Sequence, residues 1–465
     1  MGFKPEEMPQ NILEIIRNYL TVKDAEKKLF GEVFTPVELI CEMLDKLPKE
    51  VWSNPDLKWL DPANGIGNFP LVAYYRLMDG LKDVVKDSEE RSKHIIENML
   101  YMVELNPINC KACKKIFKMI NGKANPNIYN SPFYTDTDSK LKENWTSKCM
   151  LKISNLTFDI IIGNPPYNQG GIKSFNATDC KKSKTVWPLF IERSFEMLKK
   201  DGFLVFLNPL SWLRVSHKVH RLLTQKHIIW LKLWDNVKSL DIIKGKIPIS
   251  LFVCQNKINI SKNKTYIISQ LKAQHIETFV KSYINPIYSI PLAYHNIFEK
   301  ILNKIEQNPE LKLTVKATTV KGIGDAFILP KTYSIDNNYG VDTYTIKEGV
   351  KVKIMTKSHP DQKKTKLIIA NKTGFNGNFI DHGNLGLVGQ HKFYILGENL
   401  ELLQRFLNTK LAKILANNTK YGQDFLDAEV FKFIPDVRNI SKSQLPEIND
   451  ENLAKYFGYS LEEIV

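Results

Sequence analysis

Between about residues 56 and 255, the sequence alternates short apolar runs with segments whose apolar residues recur at helical spacing. The apolar runs include LKWLD, YMVELN, FDIIIGN and GFLVFLNP, and the helical segments include GNFPLVAYYRLMDGL and PLFIERSFEMLKK. Apolar strands separated by amphipathic helices indicate a parallel sheet covered on both faces. The pattern therefore predicts a doubly wound α/β domain, in which ligands bind beyond the carboxyl ends of the strands.

The pattern changes on either side of this domain. Residues 10–29 have the apolar spacing of a helix, so we interpret residues 1–29 as an N-terminal helical lead-in. After residue 260 the alternation is lost, and β-like stretches such as KTYIISQL and LIIANKTG precede the helical segment ENLELLQRFLNTKLAKILANN. We therefore predict an α/β domain over residues 30–260 and a mixed α+β domain over residues 261–465.

Composition narrows the class of protein. The chain has 465 residues, 43% of them hydrophobic, which suffices for two or three globular domains. No apolar run approaches the ~18 residues of a membrane span, so we expect a cytoplasmic protein without membrane contact. Six scattered cysteines argue against a disulfide framework. We interpret Cys110 and Cys113, the single CxxC, as thiols on a basic helix and predict no metal site.

The charge is unevenly distributed. The net charge of +15 favours a polyanionic partner. Seven lysines and one acid lie between residues 351 and 372, whereas the segment from residue 421 onward has nine acids and four bases. The lysine run is either a solvated loop or a phosphate-binding patch. Its candidates for DNA contact are Lys363, Lys364, Lys366 and Lys372.

The stretch LDPANGIGNFP combines an acid with two glycines after a predicted strand. Asp61 ends the strand, and Gly65 and Gly67 permit a tight turn before a helix that begins near Asn68. The stretch lacks the third glycine of a dinucleotide fingerprint and the Gly-Lys-Ser/Thr of a phosphate loop. Glu104, at the end of the next strand, is either a surface acid or a carboxylate that receives two ribose hydroxyls.

The stretch FDIIIGNPPYNQG places a stiff polar turn after another predicted strand. Asn164 and Pro165 each precede a proline, which excludes both from the helical region and fixes their carbonyls. An amine on an aromatic ring becomes a better nucleophile when two acceptors hold its N–H bonds. The Asn164 side-chain oxygen and the Pro165 carbonyl fit that role, and Tyr167 offers a face for base stacking. The alternative is a plain strand-to-loop turn with a surface tyrosine.

A third short stretch, GEVFTP, precedes the predicted helix VELICEMLDKL. Thr35 and Pro36 make an acceptable helix start, so a simple N-cap is one interpretation of this stretch. Its position upstream of the first strand is the reason to consider it as part of a site.

Taken in order, FTP, DPANGIGNFP, VELNP, NPPYNQG and PLFIERSFEMLKKDGFLVFLNPLSWL resemble the gamma-order N6-adenine DNA methyltransferases of restriction-modification systems. The resemblance covers about residues 30–255. More weakly, LIIANKTG, LGLVGQHKFYIL and LLQRFLNTKLAKILANN with FKFIPD resemble a TaqI-like C-terminal specificity domain.

The resemblance implies a Rossmann-like methyltransferase sheet that binds S-adenosyl-L-methionine, followed by a DNA target-recognition domain. The implied catalytic residues are those of the Asn-Pro-Pro-Tyr turn, Asn164, Pro165, Pro166 and Tyr167. The implied cofactor contacts are Thr35, Pro36, Asp61, Ala63, Gly65, Gly67, Glu104, Phe133 and Asn164. Among them, Thr35 and Pro36 would flank the methionine part of the cofactor, and Glu104 would hold the ribose hydroxyls.

Two positions depart from the family's pattern. Where relatives usually place an acid against the adenine ring of the cofactor, this chain has Pro132, which leaves Phe133 to pack on the ring. Many relatives also have an aromatic residue that sandwiches the target base. This chain has only Ile242 and Ile243 in the corresponding loop, which predicts an aliphatic second face for the base pocket.

The sequence therefore predicts a site-specific DNA methyltransferase that flips adenine out of the duplex and methylates N6. Its expected partners are double-stranded DNA and a separately encoded restriction endonuclease, because the stretch before Phe34 is short for a nuclease domain. Two alternatives remain: an RNA or protein-glutamine methyltransferase with the same turn, and a non-catalytic DNA-binding protein on a methyltransferase scaffold. Cofactor binding separates the second alternative from the enzymes.

Overall fold

A computed structural model of the chain describes residues 35–133, 153, 155–168, 185–235, 247–260, 262–271, 275–281, 284–318, 320–333, 338–345, 347–389, 392–421 and 426–464. The predicted lead-in helix, Phe34, Ile242 and Ile243 lie outside these residues. The chain divides into two compact units with a boundary between residues 286 and 287, and residues 213–215 belong to the second unit.

The helices of the first unit are α1 (Val37–Leu44), α2 (Asn68–Gly80), α3 (Ser88–His94), α4 (Pro107–Ile120), α5 (Trp187–Met197) and α6 (His220–Thr224). Its strands are β1 (Trp59–Asp61), β2 (Leu100–Glu104), β3 (Asn127–Asn130), β4 (Phe158–Gly163), β5 (Leu198–Pro209), β6 (Lys226–Trp234), β7 (Ile249–Ile258), β8 (Thr265–Leu271) and β9 (His275–Lys281).

Within the described ranges, these strands form one nine-stranded sheet in the order β3-β2-β1-β4-β5-β7-β6-β8-β9. Strands β3, β2, β1, β4 and β5 are parallel, which confirms the predicted α/β fold and brings their carboxyl ends to one edge. The other half is mixed, since β7 is antiparallel to both β5 and β6, and β8 is parallel to β6.

The first unit extends beyond the predicted boundary at residue 260. The stretch KTYIISQL, which the loss of alternation placed in the second domain, contains β8 and pairs along β6. Strand β9 then pairs with β8 in antiparallel register. Backbone pairing rather than helix–strand alternation therefore sets the limit of this unit.

The centre of the sheet is buried on both faces, as the continuous apolar run of β4 predicts. Phe158, Ile160, Ile161 and Ile162 are each at most 1% exposed. Their neighbour Leu60, on β1, is fully buried as well. These strands give the polar residues at their carboxyl ends a rigid support.

The CxxC lies on a helix, as predicted. Asn106 caps α4 by accepting a hydrogen bond from the Ile108 N–H at 3.0 Å, and Pro107 occupies the first turn. Cys110 and Cys113 are both buried on this helix. Burial raises the pKa of Cys110 to about 11 and raises that of Cys113 further. Both groups are therefore packed thiols.

The helices of the second unit are α7 (His295–Gln307), α8 (Leu400–Leu407), α9 (Lys410–Asn417) and α10 (Asp450–Phe457). Its strands are β10 (Lys316–Ala317), β11 (Gly322–Ile328), β12 (Tyr339–Thr345), β13 (Gly349–Met355), β14 (Thr365–Ala370), β15 (Asn378–His382), β16 (Gly386–Leu387) and β17 (Lys392–Leu396). In the described ranges of both units, no helix has the length and apolar character needed to span a membrane.

The second unit has the predicted mixed α+β composition. In its described part, one four-stranded sheet has the order β10-β17-β14-β15, and another has the order β11-β13-β12-β16. Residues of β14 and β17 share a core with those of α7, α8 and α9, including Leu367, Ile395, Ile301, Leu403 and Leu411. The helices thus bury one face of the first of these sheets.

A buried ion pair joins β14 to β15. The Lys366 ammonium donates to Asp381 Oδ2 at 2.6 Å, and the two side chains are 0% and 3% exposed. The ammonium also donates to the backbone carbonyls of Gln362 and Lys364, at 2.9 and 3.1 Å. This burial corrects the prediction that Lys366 contacts DNA phosphate, because all three ammonium protons have partners inside the protein.

We predict that Asp381→Asn strongly destabilises the second unit, since it leaves the Lys366 ammonium buried without a counter-charge. Removing one partner of a buried pair costs about 3–5 kcal/mol. The matched control is Glu348→Gln, which breaks the ion pair with Lys351 whose side chains are 52% and 29% exposed. That change should cost less than about 1 kcal/mol. Urea unfolding followed by circular dichroism checks this, and equal midpoints for the two variants would contradict it.

Candidate active site

Three polar residues that the sequence indicated lie at one edge of the sheet. Asp61 ends β1, Glu104 ends β2, and Asn164 directly follows β4. Strand β1 pairs in parallel with β2 on one side and with β4 on the other. The predicted cofactor turn and the Asn-Pro-Pro-Tyr turn therefore follow neighbouring strands.

The turn after β1 is held by hydrogen bonds from its own residues and from β2. Asp61 Oδ1 accepts from the Ala63 N–H at 3.0 Å. The Asn64 N–H donates to the Val103 carbonyl at 2.9 Å, which fixes the turn to β2. Gly65 and Gly67 have φ values of 58° and 103°, a region that side chains disfavour. This geometry explains why the turn needs both glycines before α2 begins.

Glu104 supports the same turn from the next strand. Its Oε2 accepts from the Gly65 N–H at 2.7 Å, and its Oε1 accepts from the Asn106 N–H at 2.6 Å. A carboxylate has about four acceptor positions, so one group can hold a turn and also receive a hydroxyl. The structure thus gives Glu104 a supporting role that sequence reasoning missed, and its ribose-binding role stays a prediction.

Asp61 lies in a confined space between β1 and β4. A β-carbon at Gly163 would stand 2.9 Å from Asp61 Oδ1, so the glycine makes room for this carboxylate. Asp61 is 1% exposed, and burial raises its pKa well above the ordinary value, with a smaller contribution from the negative charge of Glu104. Asp61 Oδ2 is buried without a hydrogen-bond partner among the described residues. A cationic ligand would supply the missing counter-charge.

The Asn-Pro-Pro-Tyr turn is joined to the FTP stretch. Asn164 Nδ2 donates to Thr35 Oγ1 at 3.2 Å, although the two residues are 129 positions apart. The Thr35 carbonyl accepts from Asn68 Nδ2 at 3.5 Å, at the start of α2. Thr35 is 3% exposed, and Pro36 follows it as the N-cap residue of α1 without a side-chain cap. The simple N-cap interpretation of this stretch is therefore incomplete.

Tyr167 is half-buried and packs against the core of the first unit. Its hydroxyl is buried without a hydrogen-bond partner in the described part of the chain, and burial raises its pKa. Its carbonyl accepts from the Val186 N–H at 3.1 Å, which ties the turn to the start of α5. This tyrosine therefore differs from the exposed side chain of a plain surface turn.

Phe133 lies in the segment that follows β3. It is 3% exposed and stacks on Phe190, with ring centroids 5.4 Å apart. Ser131, two residues earlier, donates its N–H to the Glu104 carbonyl at 3.1 Å. Phe133 thus follows a segment tied to the end of β2, and its packing on the cofactor adenine stays a prediction.

The lysine candidates of the second unit differ in exposure. Lys363 is exposed, and Lys364 is 62% exposed while donating to Asp361 Oδ1 at 2.7 Å. Asp361 also accepts from Lys316 and Tyr394, and its hydrogen bonds, the one from Lys364 foremost, hold the pKa of its carboxyl far below the usual range. The side chain of Lys372 lies outside the described residues. Lys363 and Lys364 remain the candidates for phosphate contact.

Part of the chain is similar in sequence to known proteins. Residues 85–239, which include the Asn-Pro-Pro-Tyr turn, match the Eco57I restriction-modification methylase family. An uncharacterized adenine-specific methylase of Mycoplasma pneumoniae is 27% identical over 345 residues, covering 59% of this chain and 76% of the relative. The type II restriction enzyme and methyltransferase RM.Eco57I of Escherichia coli is 24% identical, covering 52% of this chain and 29% of that protein.

A solved structure is similar over most of the chain. It is a nuclease-deletion mutant of the Type ISP restriction-modification enzyme LlaGI in complex with a DNA substrate mimic. The TM-score is 0.50 and the identity 12%, covering 93% of this chain and 48% of that one, so the likeness concerns the fold alone. A TaqI-like second unit stays a prediction. In sequence, residues 85–239 are thus similar to the Eco57I restriction-modification methylase family, and the chain is similar to an adenine-specific methylase.

Proposed function

We propose that this protein transfers a methyl group from S-adenosyl-L-methionine to the N6 of adenine in a specific sequence of duplex DNA. The observation that carries the proposal is the Asn-Pro-Pro-Tyr turn after β4, directly beside the strand that ends in Asp61. The turn after β4 has acceptors for an amine, and the turn after β1 has two glycines and a buried acid. The sequence relatives, an adenine-specific methylase and a restriction-modification enzyme, favour this substrate over RNA or glutamine.

The residues around Asp61 fit the proposed cofactor. S-adenosylmethionine carries a sulfonium and an ammonium, and it supplies an activated methyl group when bound. Asp61 has a buried oxygen without a partner among the described residues, which suits a cationic ligand. Gly65 and Gly67 keep the turn free of side chains, and Glu104, which accepts from the Gly65 N–H, would also receive the ribose hydroxyls. Thr35, Pro36, Ala63 and Phe133 complete the proposed site.

The catalytic step depends on how the target amine is held. The Asn164 side-chain oxygen and the Pro165 carbonyl would accept its two N–H bonds, which lets the nitrogen pyramidalise and direct its lone pair at the methyl group. Pro166 fixes the Pro165 carbonyl, and Tyr167 would stack on the base with about 1–3 kcal/mol. Duplex stacking hides N6, so the adenine must first be flipped out at a cost of a few kcal/mol.

The second unit is proposed to recognise the DNA sequence. Contacts to base edges determine which sequence is bound, whereas contacts to phosphates only position the protein on the DNA. Exposed lysines such as Lys363 and Lys364 would therefore contribute affinity without choosing the site. A separately encoded restriction endonuclease is the proposed biological partner, because the family match is to a restriction-modification methylase.

We predict that Asn164→Ala lowers the single-turnover rate of methyl transfer at least about a hundredfold, because the lost acceptor acts mainly in the transition state. DNA affinity should change little, and the rate is measured at saturating cofactor because Asn164 is also an implied cofactor contact. The matched control is Asn168→Ala, four residues along the same segment, which should stay within about threefold of the wild-type rate. Retention by Asn164→Ala of more than about a tenth of the rate, a loss below ~1.4 kcal/mol, would remove the basis of the proposal.

A second prediction concerns the cofactor turn. Gly65→Val should lower S-adenosylmethionine affinity at least about tenfold, since it adds a branched side chain at a φ of 58° in the proposed site. Gly349→Val is the control for backbone strain, because Gly349 has a φ of 76° and nothing within 4 Å of an added β-carbon. Titration calorimetry measures both. Unchanged affinity in a folded Gly65→Val variant would place the cofactor elsewhere.

The third prediction tests the lysines. Changing Lys363 and Lys364 together to Gln should weaken binding to all DNA sequences and lower the slope of log affinity against log salt by up to about 1.8, at about 0.9 for each phosphate contact. The methylated sequence should not change. The matched control is Lys442→Gln with Lys455→Gln, two exposed lysines of the acidic C-terminal segment. Identical salt slopes for the two double variants would show that Lys363 and Lys364 contact no phosphate and belong to a solvated loop.

A further inference from the structure

Thr35 is bonded to the proposed amine acceptor. Its Oγ1 accepts a hydrogen bond from Asn164 Nδ2 at 3.2 Å. Thr35 is itself held in place. The residue is 3% exposed, its carbonyl accepts from Asn68 Nδ2 at 3.5 Å, and the following Pro36 restricts its backbone. A fixed hydroxyl therefore holds one end of the Asn164 amide.

The orientation of that amide matters chemically. An asparagine side chain carries one acceptor oxygen and one donor NH2 group, which exchange places when the amide rotates by half a turn. Only the oxygen can accept an N–H bond from the target amine. With Nδ2 bonded to Thr35, the Asn164 oxygen is directed away from Thr35. This orientation keeps the Asn164 NH2 group from facing the target amine, since two N–H donors would repel each other.

We propose that Thr35 is a positioning residue, which acts through Asn164 by holding its amide with the NH2 group toward Thr35 and the oxygen on the opposite side, for the substrate amine. The inference rests on the proposed function and gives Thr35 a role besides the cofactor contact implied by the FTP resemblance. The two roles predict different kinetics. Removing a cofactor contact lowers S-adenosylmethionine affinity, whereas removing a positioning residue lowers the rate at saturating cofactor.

The test compares Thr35→Val, which keeps the volume and removes the hydroxyl, with Thr35→Ser, which restores the acceptor. We expect Thr35→Val to slow single-turnover methyl transfer at saturating S-adenosylmethionine about 10- to 100-fold, a loss that more cofactor does not restore. Thr35→Ser should retain the rate to within about threefold. The control is Thr265→Val, since Thr265 is also 3% exposed and its hydroxyl donates to the Ile228 carbonyl on a distant pair of strands. It should leave the rate unchanged.

Other outcomes overturn the inference. A Thr35→Val variant with the wild-type rate at saturation and weakened cofactor binding makes Thr35 a cofactor contact only. A Thr35→Ser variant as slow as Thr35→Val removes the role of the hydroxyl. If Thr35→Val does not fold, Thr35→Ala is compared with Thr35→Ser in the same way. Asn164→Ala is measured alongside, because a wild-type rate of methyl transfer for that variant contradicts the proposed function. A slow Asn164→Ala variant together with a Thr35→Val variant of wild-type rate contradicts the positioning role alone.

Discussion

The space between β1 and β4 is the constraint on which the rest of the site depends. These strands are parallel neighbours, with Leu60 opposite Ile161, so the residues that follow them leave the sheet at the same edge. Asp61 fits there only because Gly163 has no side chain, since a β-carbon at that position would lie 2.9 Å from the carboxylate. The residue after Gly163 is Asn164. The glycine directly before the proposed catalytic turn therefore leaves room for the acid that ends β1.

Each turn is then fixed by a side chain from another part of the first unit. Glu104, on β2, holds the turn after β1 through the Gly65 N–H at 2.7 Å. Thr35, ahead of α1, holds the Asn164 amide at 3.2 Å. Dipoles held in place before the reaction stabilise developing charge without reorganising, which is how rigid sites accelerate chemistry. In the proposed reaction the fold would supply orientation, and the cofactor would supply the reactive group.

Local patterns predicted much of this, because strand, turn and helix signals lie within a few residues of one another. The end of β1 at Asp61 and the start of α2 at Asn68 are where the sequence placed them. Features set by distant contacts were beyond local patterns. The placement of β8 depends on pairing with β6, and the burial of Lys366 depends on Asp381, fifteen positions away. The bond between Thr35 and Asn164 joins stretches whose order along the chain indicated a shared site but no contact.

The proposed activity of this chain is methylation of adenine N6 in DNA at a defined sequence. The most direct measurement is N6-methyladenine sequencing of genomic DNA from a methylation-free host that expresses the wild-type protein, compared with the same host expressing Asn164→Ala at equal level. We expect N6-methyladenine at nearly every copy of one short sequence in the first sample and none above background in the second. Absence of N6-methyladenine from both samples, with folded wild-type protein that binds S-adenosylmethionine, would contradict it and direct attention to an RNA or protein substrate.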